Sequence, residues 1–195
     1  MTKPVIGARV SSRLRRVGVT EMVSRGIWFG RKFTLGLPTW MFPNVVERLR
    51  GTPARAEDLL RGVRPEILAR RDGGRWSVQE HLGHLLDLGW LDAARVRDFT
   101  EGREVLTAAD VKNTKTHEAN HNARDFVGLL AEFRAERGDL VRRLEEFDDG
   151  TVARTALHPR LAQPMSVTDW AYFVAEHDDH HLAAMSELLR KFVAR

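Results

Sequence analysis

Between residues 167 and 188 the chain places Val167, Trp170, Val174, Ala184 and Leu188 at helical spacing, and the two middle positions of that series are His177 and His181. The steps alternate between three and four, which is the inward stripe of a helix packed against partners. Ser166 and Asp169 can form a capping box ahead of it, so a helix over about 167–192 is predicted. Positions four apart differ by about 40° around a helix, so both imidazoles point into the core one turn apart. Four buried ring nitrogens then need partners, and a metal ion is one way to supply them. His180 falls on the flank of the stripe.

The rest of the chain follows the same period. Val45, Val46 and Leu49 begin a helix. "GTPARAEDLLRG" restarts it, with Thr52 as the expected N-cap and Pro53 suited to the first helical position. Gly62 and Pro65 mark a break. Ser77 and Glu80 in "WSVQE" form a capping box before a second helix reaching about Phe99. After a loop around 101–113, a long third helix is expected to run to about Phe147. Its stripe is Ala119, Ala123, Phe126, Leu130, Phe133, Leu140, Leu144 and Phe147, with a gap at Arg137. Residues 152–164 read as irregular. No alternating strand pattern of useful length, repeat or low-complexity tract is visible. These elements predict an all-α, antiparallel four-helix bundle over residues 41–195.

Residues 1–40 read differently. They hold eight Lys or Arg and one acid, a net +7, which leaves −3 for the remainder of a chain whose total is +4. The basic series is Arg9, Arg13, Arg15, Arg16, Arg25, Arg31 and Lys32. Weak periodicity there implies a partly ordered extension. Truncation before about Thr39 is expected to leave a folded protein, unless Trp28, Phe29 and Phe33 dock on the bundle. The extension resembles a transit peptide in composition; a later start at Met22 or Met41 would equally account for it. It carries no aromatic stacking series or recognised binding motif, so no nucleic-acid partner is expected.

The chain contains no Cys. It can form no disulfide and has no thiol of its own to act as nucleophile or ligand, which suits a reducing cytoplasm. No apolar run approaches the length of a membrane span, and no secretory signal is evident. No Ser-His-Asp order is evident either.

A third ligand for the His177–His181 pair should come from another helix. "HLGHLLD" offers His81 and His84, and periodicity alone does not choose between them. "HEANH" (117–121) matches the spacing of a zinc-protease motif. On the expected third helix, however, His117 and His121 point away from Ala119 and the core, onto a solvated face. His158 in "LHPRL" sits in a loop able to approach the mouth of the bundle.

"WSVQEHLGHLLD" (76–87) together with "AEHDDHHLAAM" (175–185) resembles the DinB-like superfamily of small metal-binding four-helix bundles. The likeness spans roughly residues 40–192 and includes "LRGTPAR". It implies His84, His177 and His181 as metal ligands, with His81 standing where relatives usually carry an apolar residue. Asp87, Asp178, His180 and His158 become candidates for the surroundings of the ligands or for the pocket wall. Gly89 stands near a place where relatives often have an acid, and the basic extension lies outside the family pattern.

Three histidines leave a coordination position open, the arrangement of a catalytic site. Zinc, nickel, iron and manganese all suit imidazole. The family implies thiol-dependent transferases and isomerases using low-molecular-weight thiols such as mycothiol or bacillithiol. The expectation is therefore a cytoplasmic enzyme, compatible with a homodimer, that activates a small thiol, or water for hydrolysis, against a small-molecule substrate. A non-catalytic, metal-binding stress protein is the alternative. Binding of nucleic acid or a membrane surface through the extension ranks third. Arg55, Arg95 and Arg160 are candidate anchors for substrate carboxylates.

Overall fold

The computed structural model describes residue 23 and residues 25–193. Arg9, Arg13, Arg15, Arg16 and Met22 lie outside the described residues. Helices α1 (Phe42–Arg50) and α2 (Thr52–Leu60) form the first arm of a bundle, followed by the short α3 (Pro65–Leu68). The second arm is α4 (Val78–Asp87) and α5 (Gly89–Glu101), interrupted at Leu88. After α6 (Thr114–Glu118), the third arm is α7 (Phe126–Glu145). The short α8 (Asp149–Val152) and a hairpin of β1 (Thr155–His158) and β2 (Gln163–Ser166) lead to the fourth arm, α9 (Val167–Val193). The α1–α2 and α4–α5 arms each pack against both α7 and α9. Consecutive first and second arms therefore sit diagonally across the bundle. Among the described residues no helix is long and apolar enough to cross a membrane.

The expected all-α bundle is present, and both capping boxes form. Ser77 accepts from the Glu80 amide while Glu80 accepts from the Ser77 amide. Ser166 and Asp169 exchange the same pair of bonds. Three expectations fail locally. Thr52 is the first helical residue rather than the cap, and its hydroxyl bonds the Arg48 carbonyl of the preceding turn. The third helix does not start near Thr114. Asn120 takes a left-handed backbone with φ of 47°, a conformation Asn tolerates, and Asp125 then caps a new helix by accepting from the Gly128 amide at 2.7 Å. Ala119 and Ala123 consequently lie off the α7 stripe. The supposedly irregular 152–164 segment holds β1, the turn and the start of β2. Its strands are too short for alternation to register in sequence, and the turn is closed by Ala162 at φ 51°.

The core falls into two apolar clusters. One gathers Phe42, Leu49, Phe99, Leu144 and Trp170; the other gathers Leu60, Leu82, Phe133, Met185 and Leu188. Along α4–α5, α7 and α9 the boundary between them is a layer of polar residues. His84, Asp87 and Asp92 face it from the second arm, Arg137 from α7, and His177, Asp178 and His181 from α9. Arg137, the gap in the α7 stripe, is an inward position occupied by a charge.

Candidate metal centre

His84 lies seven residues into α4, whose start is fixed by the capping box, and His177 and His181 occupy successive turns of α9. These three helical positions offer ring nitrogens all within 4.8 Å of one another. Nε2 of His181 is 3.2 Å from Nε2 of His177. Two nitrogens held tetrahedrally at ~2.0–2.1 Å from one ion stand about 3.3–3.4 Å apart, so the pair is spaced to share a divalent cation. The outer nitrogens are engaged from behind. His84 Nδ1 lies 3.0 Å from the Thr116 hydroxyl, and His181 Nδ1 lies 2.8 Å from Nδ1 of His81. Such contacts fix tautomer and ring orientation.

Burial makes these imidazoles ready ligands. It pushes His84 down to about 4, with further help from the nearby His121 and His117, and holds His177 and His181 well below their ordinary value. Neutral imidazole is the form that binds a metal.

Around the cluster, Asp87 accepts from His121 Nε2 at 2.8 Å. Burial alone would raise the Asp87 carboxyl, but the bonds from His121 and Thr116 hold it below its usual range. Thr116 thus joins His84 to the Asp87–His121 pair. Deeper in the layer, Arg137 sits between Asp178 at 2.8 Å and Asp92 at 3.4 Å. Burial raises both carboxyls, Asp92 to about 6.

The cluster opens on a cavity of about 530 Å³. Trp28, Trp76, Leu91 and Phe173 supply apolar wall, and Arg95, His158 and Arg160 supply cationic or donor groups. Trp28 is itself buried, with its ring 4.8 Å from His177 and 5.2 Å from Phe33. The aromatic group at the end of the extension therefore docks on the bundle. Arg25 contacts both nitrogens of His180, and Arg31 pairs with Glu176 of α9.

Of the residues singled out from sequence, His84, His177 and His181 come together. Asp87 reaches the cluster only through Thr116, Asp178 serves Arg137, and His180 is turned to Arg25. His158 is buried in the cavity wall. Arg95 and Arg160 line the cavity, whereas Arg55 is on the surface, paired with Asp179 at 2.6 Å. His117 is exposed at the cavity rim beside Trp76. His121 corrects the expectation. The break at Asn120 takes it off a solvated helix face and buries it to 1% exposure against Gly83, where an added Cβ would run into its ring. Thr116 and His121 escaped sequence analysis because no periodicity links a short helix and a single 3₁₀ turn to α4.

The DinB superfamily profile matches residues 48–185. The uncharacterized protein YuaE of Bacillus subtilis (strain 168) is 23% identical over 145 residues, covering 68% of this chain and 89% of YuaE. Among solved structures, the fold is similar to YfiT from Bacillus subtilis, described as a probable metal-dependent hydrolase with an unusual four-helix bundle topology. That match has a TM-score of 0.72 at 22% identity, over 84% of this chain and 94% of YfiT. The mycothiol-dependent maleylpyruvate isomerase is similar at a TM-score of 0.62 and 10% identity, over 83% of this chain and 71% of the isomerase. At these identities the structural likeness speaks for the fold, and the profile match, over more than half of the sequence, speaks for descent: this chain belongs to the DinB superfamily.

Proposed function

We propose that this chain is a metal-dependent enzyme in which His84, His177 and His181 hold one divalent cation and a small external nucleophile, a thiol ahead of water, reacts with a small-molecule substrate in the adjoining cavity. The observation that carries this is the meeting of three inward imidazoles, His84 and His181 buried and His177 half-buried, with ring nitrogens within 4.8 Å of one another at the wall of a 530 Å³ cavity. That size suits a small-molecule site. When bound, such an ion supplies a Lewis acid that lowers the pKa of a thiol or water and polarises a substrate oxygen. His81 and Thr116 orient two of the rings from behind. Trp28, Trp76 and Phe173 line the cavity beside these rings.

A thiol is preferred over water because the chain has no Cys, so a thiolate must arrive with a co-substrate, and because Trp28, Trp76, Leu91 and Phe173 give a soft, weakly hydrated nucleophile apolar wall beside the histidines. Small thiols stay reduced in the cytoplasm, which is where we place the reaction. Hydrolysis is supported by what is said of YfiT, the structural relative with the higher TM-score of the two above.

The test is metal analysis of the purified protein, followed by incubation with an electrophile and each of several small thiols beside His84→Ala, His177→Ala, His181→Ala and His117→Ala variants. Each of the first three should lose the metal and metal-dependent thiol consumption, and His117→Ala should keep both. Bound metal without thiol consumption or hydrolysis of activated esters would favour a non-catalytic metal-binding protein.

A further inference from the structure

Phe173 stands one turn before His177 on α9, and its ring is a platform for two other groups. The His158 ring packs 5.1 Å from it and the Arg160 guanidinium 5.7 Å from it. The hairpin carries both: His158 ends β1, and Arg160 lies in the turn that Ala162 closes. Arg95 reaches the same cavity from α5.

Each of these side chains has one nitrogen anchored or packed and another without a partner among the described residues. Arg95 donates through Nε to the Thr107 carbonyl at 3.0 Å, and its Nη2 is buried without a partner. The Leu161 amide donates to His158 Nδ1 at 3.2 Å. That bond makes Nδ1 the acceptor and places the ring hydrogen on Nε2, which is also buried and unpartnered. Arg160 Nη2 is a third buried donor without a partner. Arg95 is 3% exposed and His158 2%. The acids nearby are already engaged: Asp98 by the Thr107 amide and Arg103, Asp92 by Arg137. Arg137, equally buried, has two carboxylates of its own. Among the described residues Arg137 therefore has two ion pairs, whereas Arg95 feels Asp92 and Asp98 only at longer range and Arg160 has no ion pair; both line the cavity.

Buried polar groups in native proteins are satisfied, so three unpaired donors in one wall mark the seat of an acceptor. The three also oppose one another electrostatically. Burial, then the charges of Arg95 and Arg160, pushes His158 down to about 4. An anion between them relieves that opposition. Phe29 and Phe173 flank Arg160, so an apolar body can lie beside the charged group. A planar carboxylate with two acceptor oxygens fits paired guanidinium donors.

We propose that Arg95, Arg160 and His158 form a carboxylate-binding subsite, and hence that the substrate is a small carboxylate-bearing molecule with an apolar body, held about one helical turn along α9 from the histidine cluster. Assigning the ligand as substrate rests on the cavity being the reaction site.

The experiment is calorimetric titration of the full-length protein with benzoate, benzamide and inorganic phosphate, repeated on Arg160→Met, Arg160→Lys and His181→Ala. Benzoate should bind at least ~10-fold more tightly than benzamide, and Arg160→Met should weaken it by a similar factor, about 1.4 kcal/mol, with partial rescue in Arg160→Lys. Binding should survive in His181→Ala, which separates this subsite from the metal reading. Equal binding of benzamide, unchanged benzoate affinity in Arg160→Met, or phosphate binding without benzoate binding would each overturn the proposal. Loss of benzoate binding in His181→Ala would overturn it too, by moving the carboxylate onto the metal position. Persistent benzoate binding in a protein that takes up no metal would uphold the subsite while sinking the proposed enzyme.

Discussion

Nδ1 of His81 lies 2.8 Å from Nδ1 of His181, so a fourth histidine backs one of the three that converge. If Nε2 of His181 holds a metal as proposed, its Nδ1 carries the hydrogen and His81 accepts it. His81→Leu should leave the helical content unchanged and weaken zinc binding about 10-fold or more, as loss of an orienting partner does elsewhere. Competition against a coloured chelator measures this; an unchanged affinity would mean that His81 only fills space.

Gly83 admits the ring of His121, which in turn holds Asp87. Gly83→Ala should therefore destabilise the protein by about 1–3 kcal/mol, because the ring sits between α4 and the 3₁₀ turn and has little room to retreat. Gly74→Ala, where nothing lies within 4 Å, is the control. Equal melting temperatures for the two variants would refute the packing.

Trp28 packs on Phe33, Phe173 and His177. Replacing a buried aromatic of this size with Ala costs roughly 3–5 kcal/mol, which for a chain of this length is a melting-point drop of about 6 °C or more. Trp28→Ala, and deletion of residues 1–40, should both show it in a thermal melt. A drop below about 2 °C would restore the extension to the status of a dispensable tail.

Burial holds His81 at about 3 and His84, His158 and His180 at about 4, with His177 and His181 well below 6.5. As pH falls from about 6.5 toward 4, the unfolded chain takes up protons that the folded chain refuses, so stability is lost on acidification. Asp92, raised to about 6, acts oppositely: its cost grows as pH rises from 3.8 to about 6 and is constant above. Six histidines outweigh Asp92 and Asp178. The metal-free protein should melt lower at pH 5 than at pH 7.5; a flat or inverted profile would contradict the burial of these rings.

Periodicity exposes what repeats and hides what does not. His177 and His181 were legible because they continue a stripe of seven positions. The bundle was legible because two capping boxes and two glycine–proline breaks punctuate it. His84 and His81 lie three apart on one helix face, and only the family resemblance separated them. His121 was misplaced because a single left-handed residue, Asn120, ends a helix that apolar spacing carries straight through. Arg95, Arg160 and Arg55 look alike in sequence. What distinguishes them is whether an acid on another element reaches them, and that is decided by tertiary packing.

Beside α5 and α9, the cavity is walled by pieces that are not bundle arms: the stretch around Trp28, the loop before α6, and the hairpin with His158 and Arg160. The helices present the three converging imidazoles, while the hairpin presents two of the three groups of the proposed subsite, so part of that subsite can be changed without touching the bundle. Swapping the hairpin turn between relatives should alter what the cavity accepts while leaving the histidine cluster intact, which makes residues 155–166 a natural cassette for retargeting this scaffold.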